Sequence, residues 1–167
     1  ILEQFKQLIT TEDKIAIRDF LNVQNISDVA ELIYAYPDDE ATIIANMAIH
    51  RASKVFKILD FTTQKQIIAE LPSNKTAELL NDLPADDRTD FLEELPKTAI
   101  RDLIKLLDPE ERKITLSLLG YPEDSVGRLM TPDYVYVYAH NTVAEVFDTI
   151  RKYAKNSETI DVIRSEE

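Results

Sequence analysis

Residues 71–96 have the sequence LPSNKTAELLNDLPADDRTDFLEELP, in which a twelve-residue unit opening with Leu-Pro occurs twice and a third Leu-Pro follows. Proline cannot continue a helix but suits its first turn, so each Leu-Pro pair marks a helix end and the next helix start. Two apolar residues precede each later leucine by four and three positions, which places all three on one helix face. The segment therefore predicts a series of short helices, one per unit.

The same unit extends in both directions along the chain. A marker residue, leucine except at the first position, recurs every twelve residues: Met47, Leu59, Leu71, Leu83, Leu95, Leu107 and Leu119. The residue three positions earlier is always apolar: Ile44, Phe56, Ile68, Leu80, Leu92, Ile104 and Leu116. The residue four positions earlier is apolar in six of seven units: Ile43, Val55, Ile67, Leu79, Phe91 and Leu103, with Thr115 in the seventh. Helices of about nine residues, roughly 13 Å long, are too short to stand alone in water, so the units must stack as a superhelix.

Proline and capping residues mark further helix starts, both before the regular repeat and within it. An apolar stripe predicts a helix over residues 1–9, and Thr10 or Thr11 is the predicted cap of the next helix. Pro37 and the three acidic residues after it predict the start of a fourth helix. In the unit after Leu107, Asp108 is the predicted N-cap and Glu111 its capping-box partner.

Composition limits the classes of function. The 167 residues carry a net charge of −12, contain no cysteine and are 44% apolar, which predicts a globular chain with a core and without disulfides or thiolate chemistry. A nucleic-acid binder needs a basic face, so we expect no nucleic-acid partner. The longest apolar runs fall short of a membrane span, so we expect no direct membrane insertion of this chain.

A different pattern begins after Gly120. Residues 134–138 alternate tyrosine and valine as a strand does, residues 143–153 carry a helical apolar stripe, and residues 159–163 predict a second strand. One such unit cannot bury both of its faces, so this part predicts an incomplete β-α-β piece. The expected organisation is a helical-repeat domain over residues 1–130 and a partial second domain over residues 131–167.

One acidic group is a candidate metal site. Asp86 and Asp90 are four residues apart on one predicted helix, hence on one face, with Asp87 beside them. Carboxylates suit a hard divalent cation such as Mg²⁺, which keeps several waters and needs few protein ligands. The alternative is that acids simply favour the first helical turn and that Arg88 screens them. No arrangement of nucleophile and base occurs, and we expect no enzyme.

The stretch at residues 121–132, YPEDSVGRLMTP, closely resembles the joint between the N-terminal helical domain and the first cystathionine-β-synthase (CBS) motif in MgtE-type magnesium transporters. The Leu-Pro repeats before it resemble the N-terminal domain of that family, and residues 130–132 with 142–146 resemble the entry to a CBS motif. The resemblance implies a mostly α fold: a right-handed superhelix of about ten short helices followed by part of a first CBS motif.

The resemblance also implies a function. The chain would be the cytosolic magnesium-sensing region of a magnesium transporter or channel, at the cytoplasmic face of the cell membrane. Bound Mg²⁺ would dock the N-terminal domain on its own CBS domain in a homodimer formed through other regions, and so close the membrane pore. The resemblance places metal ligands on Asp86 and Asp90 and an ion near the backbone of Gly127 and Arg128. Lys54 stands at a position where a relative of this family can offer an acid.

A second class of function stays open. The repeats suit a protein-interaction scaffold, coupled to a CBS module that senses a nucleotide.

Overall fold

The structure is a computed structural model, and it describes residues 1–11, 13–120, 135, 137–138 and 140–153. Within these residues, eleven helices make up the regular structure. Ten of them follow one another in the first 120 residues: α1 Leu2–Thr11, α2 Lys14–Val23, α3 Ile26–Ala35, α4 Glu40–Ala45, α5 Ile49–Phe56, α6 Phe61–Glu70, α7 Ser73–Asp82, α8 Ala85–Glu93, α9 Lys97–Ile104 and α10 Pro109–Leu119. The eleventh, α11, is Val143–Tyr153. The prediction of a mostly helical chain with about ten short helices is confirmed.

Each helix packs mainly on close neighbours along the chain. Helix α3 packs on α5 and α5 on α7, while α4 packs on α6 and α8 on α10, so contacts skip one helix. Helices α1 and α2 pack on each other at the N-terminal end. This is the local contact pattern of a repeat stack, in which no helix reaches across the whole domain.

The repeat positions form the core. The first six marker residues are buried and Leu119 is half-buried. At the position four residues earlier, every side chain is buried except the half-buried Leu103, and the buried set includes the polar Thr115. The twelve-residue period therefore predicted which side of each helix faces inward, because the three positions lie on one helix face.

The predicted cap at Thr10 or Thr11 was wrong, whereas the predicted N-cap at Asp108 is confirmed in position. Thr10 and Thr11 lie inside α1, and Asp13 caps α2 by accepting hydrogen bonds from the backbone amides of Ile15 and Ala16 at 3.0 and 3.1 Å. Asp108 does occupy the N-cap position of α10, but its side chain makes no capping hydrogen bond. Glu111, the predicted capping-box partner of Asp108, instead pairs with Arg88 of α8.

The predicted β-α-β piece is confirmed only at its helix, α11. Val135, Val137 and Tyr138 belong to no strand, while the rest of the first predicted strand and all of the second lie outside the described residues. The boundary between the two predicted domains also lies outside them and stays a prediction. No helix in the described ranges is long and apolar enough to cross a membrane.

A buried arginine joins α7, α8 and α10. Arg88 of α8 is 0% exposed, and its Nε donates to the Thr115 hydroxyl at 2.8 Å. Its Nη1 donates to the backbone carbonyls of Leu80 and Leu83 at 2.9 and 3.1 Å, and its Nη2 pairs with the Glu111 carboxylate at 2.5 Å. The guanidinium thus holds the C-terminal end of α7 and one face of α10 against α8. A charge so deeply buried is tolerated because its donors find acceptors.

We predict that Arg88→Ala lowers the free energy of unfolding by about 3–5 kcal/mol, because it leaves a carboxylate and buried carbonyls without their donor. Urea denaturation of the purified chain measures the loss. Arg101→Ala, which removes an exposed arginine from α9, is the control and should change stability by less than about 0.5 kcal/mol. Equal effects of the two substitutions would show that the Arg88 network does not hold the helices together.

Candidate metal site

The helix that carries the acidic group is fixed in orientation from two sides. Phe91 of α8 packs edge-on against Phe56 of α5, with ring centroids 5.3 Å apart, and lies 6.0 Å from the ring of Phe61. On another side, Arg88 binds α10 as described above. Rotation of α8 about its axis would break both sets of contacts, so the directions of its remaining side chains are set by the core.

Asp86 and Asp90 face away from Arg88. Successive helical residues are about 100° apart, so a residue two positions away lies on nearly the opposite side, while residues four apart share a face. The expectation that Arg88 screens these acids was wrong, because the guanidinium is buried and bound elsewhere. Lys57 supplies a cation at this helix start, since its ammonium donates to the Asp87 carboxylate at 3.1 Å.

Asp86 has an oxygen that the protein itself does not satisfy. Its Oδ1 is buried and has no hydrogen-bond partner among the described residues. A buried carboxylate oxygen without a donor is costly, and a hard divalent cation or its bound water would supply the missing positive partner. The donor chemistry of Asp86 therefore fits Mg²⁺. Asp87, held by Lys57, would have to exchange that partner for an ion.

These residues supply only part of a coordination shell. No group of three or more His, Cys, Asp or Glu side chains that could hold a metal ion occurs within the described residues. Lys54 is exposed in the last turn of α5, where a cation suits the negative helix end, and it brings no acid to the site. The predicted ion near Gly127 and Arg128 lies outside the described residues.

Helix electrostatics give these acids a second, purely structural explanation. Pro84 is the N-cap residue of α8 and has no side-chain acceptor to offer the first amides of the helix. Asp86 and Asp87 in the first turn place negative charge near the positive helix end, which stabilises the helix modestly. This accounts for acids at these positions but not for the buried oxygen of Asp86 that has no partner in the part of the chain that the structure describes.

A second carboxyl, that of Glu40, is also unusual, and no sequence pattern indicated it. It begins α4, as the acidic run after Pro37 predicted, but it is only 5% exposed and its Oε2 is buried without a hydrogen-bond partner in the described part of the chain. Burial raises the pKa of Glu40, and the nearby charges of Glu70, Asp60 and Asp38 raise it further. Glu70 and Asp60 are remote in sequence, so only the packing of α4 on α6 brings this acidic neighbourhood together.

Short stacked helices with an unsatisfied acid at one helix start define an all-helical repeat domain with a candidate cation site. The model of the family described as "MgtE intracellular N domain" matches residues 24–124, more than half of the chain. The chain belongs to this family. The resemblance noted in the sequence is thereby confirmed, and so is the expected cytoplasmic side, because the family consists of intracellular domains.

Two relatives share part of this sequence. The magnesium transporter MgtE of Thermus thermophilus is 47% identical over 55 residues, which cover 33% of this chain and 12% of the relative. The magnesium transporter MgtE of Bacillus subtilis is 33% identical over 57 residues, covering 34% of this chain and 13% of the relative. The matched segments are thus a small part of either transporter.

Solved structures show the same fold. The crystal structure of the cytosolic domain of the Mg²⁺ channel MgtE in complex with ATP has a TM-score of 0.87 at 27% identity, covering 96% of this chain and 66% of that one. The crystal structure of the soluble part of a magnesium transporter has a TM-score of 0.82 at 20% identity, covering 95% and 63% of the two chains. The second likeness concerns the fold alone.

We predict that Glu40→Gln raises the free energy of unfolding at neutral pH by more than the roughly 0.5 kcal/mol usual for surface substitutions. The folded state raises the pKa of Glu40 above its ordinary value of 4.5, so the carboxyl stabilises the fold while protonated and loses this contribution as pH rises through the folded-state pKa. The gain should therefore disappear below pH 4.5. Urea denaturation at both pH values measures it.

Glu31→Gln removes one charge from an exposed position of α3 and controls for the general relief of repulsion in an acidic chain. A gain for Glu40→Gln that matches this control, or that persists in acid, would contradict the role assigned to burial.

Proposed function

We propose that this chain is the magnesium-sensing regulatory part of a magnesium transporter or channel. In this proposal Mg²⁺ bound at Asp86 and Asp90 docks the helical domain on the CBS domain of the same protein and favours a closed pore. The observation that carries the proposal is the buried Oδ1 of Asp86, which has no hydrogen-bond partner among the described residues and lies on a helix whose orientation the core fixes. Family membership and the magnesium transporters among the relatives support it.

The residues of α8 would act through charge. A bound Mg²⁺ would supply two positive charges between acidic surfaces. Asp86 and Asp90 would present their carboxylates on one face of α8, opposite the buried Arg88. Without the ion, like charges on the two docking surfaces repel each other, and the chain's net charge of −12 makes that repulsion strong. The role is regulatory rather than catalytic, and a homodimer formed through other regions would couple two such units.

The scaffold coupled to nucleotide sensing is the second candidate. One observation favours it: the similar cytosolic domain of the Mg²⁺ channel MgtE was crystallised in complex with ATP. In that case the helical domain would move in response to a nucleotide held elsewhere, and the acids of α8 would only stabilise their helix.

We predict that the double substitution Asp86→Asn and Asp90→Asn in the full-length protein raises magnesium flux at high cytosolic magnesium by about fivefold or more. Loss of an ion that favours the closed state removes a coupling free energy of about 1–3 kcal/mol. Flux into vesicles containing the reconstituted protein, measured while internal magnesium is varied, gives the result. At low magnesium the variant and the unaltered protein should be alike.

Glu110→Gln is the matched control, since Glu110 occupies the first turn of α10 as Asp86 does that of α8, and it is exposed. Flux that ignores the double substitution but responds to ATP would favour the second candidate. An equal change in the control variant would show that only helix-start charge had been altered.

A further inference from the structure

One helix of the superhelix has an apolar side that the described part of the domain buries only partly. Of the ten helices described between residues 1 and 120, α9 alone contains no buried residue. Its apolar side chains Ala99, Ile100, Leu103 and Ile104 are only half-buried. Short amphipathic helices depend on burial of their apolar face for stability, so this end of the stack has apolar surface available for another element.

The repeat pattern shows where the burial stops. At the position three residues before each marker, side chains are buried or half-buried in every unit up to Ile104, whereas Leu116 at the same position of the last unit is 52% exposed. Ile100, Ile104 and Leu116 together line a groove of about 410 Å³ between α9 and α10. In a stack of this kind the next helix would lie there.

The rim of this α9–α10 groove is basic although the chain is acidic. Lys97, Arg101, Lys105 and Arg112 line it, and no acidic side chain among the described residues does. Four of the chain's 19 lysines and arginines therefore surround one small apolar groove in a molecule of net charge −12. A chain of this composition is expected to have an acidic surface, so this cluster of basic side chains is a local exception.

Two of the four cations are held by the protein and two are available. Arg112 donates to the backbone carbonyls of Ile104, Lys105 and Leu107 at 3.0–3.1 Å, which fixes it across the C-terminal end of α9. Lys105 pairs with Asp102 at 2.8 Å. Within the described residues, Lys97 and Arg101 form no ion pair. They lie one helical turn apart and can meet acidic groups spaced along a partner helix.

We propose that the α9–α10 groove docks an acidic amphipathic helix of a protein partner. Apolar residues of that helix at i, i+3 and i+4 would pack on Ile100, Ile104 and Leu116, and its flanking carboxylates would meet Lys97 and Arg101. Charge complementarity selects this occupant: an acidic helix is attracted to the groove, and the acidic remainder of the chain repels polyanions such as nucleic acid at longer range. The proposal is independent of the magnesium site on α8.

The test uses the purified 167-residue chain and three labelled synthetic peptides of about 18 residues. The first has leucines at helical spacing among glutamates, the second replaces glutamate by lysine, and the third replaces leucine by serine. Fluorescence anisotropy should show saturable binding of the first peptide only. Leu116→Ser and Arg101→Glu should each weaken that binding by about tenfold or more, which corresponds to about 1.4 kcal/mol.

Matched controls change the same residue types elsewhere. Ile58→Ser alters another half-exposed apolar side chain, and Lys65→Glu reverses an exposed lysine on α6; both should leave binding unchanged. Because all four residues are exposed, thermal unfolding should confirm that every variant is folded.

Other outcomes would overturn the proposal. Absence of saturable binding, equal binding of the lysine peptide, or insensitivity to Leu116→Ser and Arg101→Glu would show that the groove selects no acidic helix. Binding of phosphatidylglycerol vesicles that requires Arg101, without binding of the acidic peptide, would assign the groove to an anionic lipid surface. Self-association in analytical ultracentrifugation that Leu116→Ser abolishes would make a second copy of the chain the occupant.

Discussion

The buried guanidinium of Arg88 is the interaction on which the candidate site depends. It binds two carbonyls at the end of α7 and two side chains of α10, so it fixes how far α8 is turned about its own axis. Asp86 and Asp90, two residues to either side of Arg88, therefore lie on the side of α8 opposite the guanidinium. The arginine, which the sequence suggested as a surface counter-ion of these acids, is instead a core residue that sets the face of α8 on which they lie.

Most of the helical fold follows from the sequence because its signals are local. Leu-Pro pairs end one helix and begin the next, and three apolar positions per unit define the inner face. Leu71, Leu83 and Leu95 are buried as the period requires. The contacts between helices are also close in sequence, so a pattern of twelve residues carries nearly all the information that this architecture needs. The strands predicted after Gly120 had no such repeated support.

The direction of Arg88 could not be predicted in the same way, because its partners Glu111 and Thr115 are on another helix. One signal was present: Thr115 is the only polar residue at its position of the repeat, and a polar residue at a core position requires a polar partner. The capping-box pattern concealed the role of Glu111, because a glutamate three residues after an N-cap residue is already explained by a bond within its own helix. Glu40 gave no comparable signal, because Glu70 and Asp60 reach it only through the packing of α4 on α6.

The positions of the cations decide how charge is distributed over the surface of this chain. Arg88 is used inside the core, Lys57 is paired with Asp87, and four further cations surround the groove between α9 and α10. The net charge of −12 is consequently unevenly spread, with a basic end and an acidic helix start on one small domain. The two proposed ligands, a cation at one surface and an acidic helix at the other, would not compete, because opposite charges would attract each ligand to its own surface.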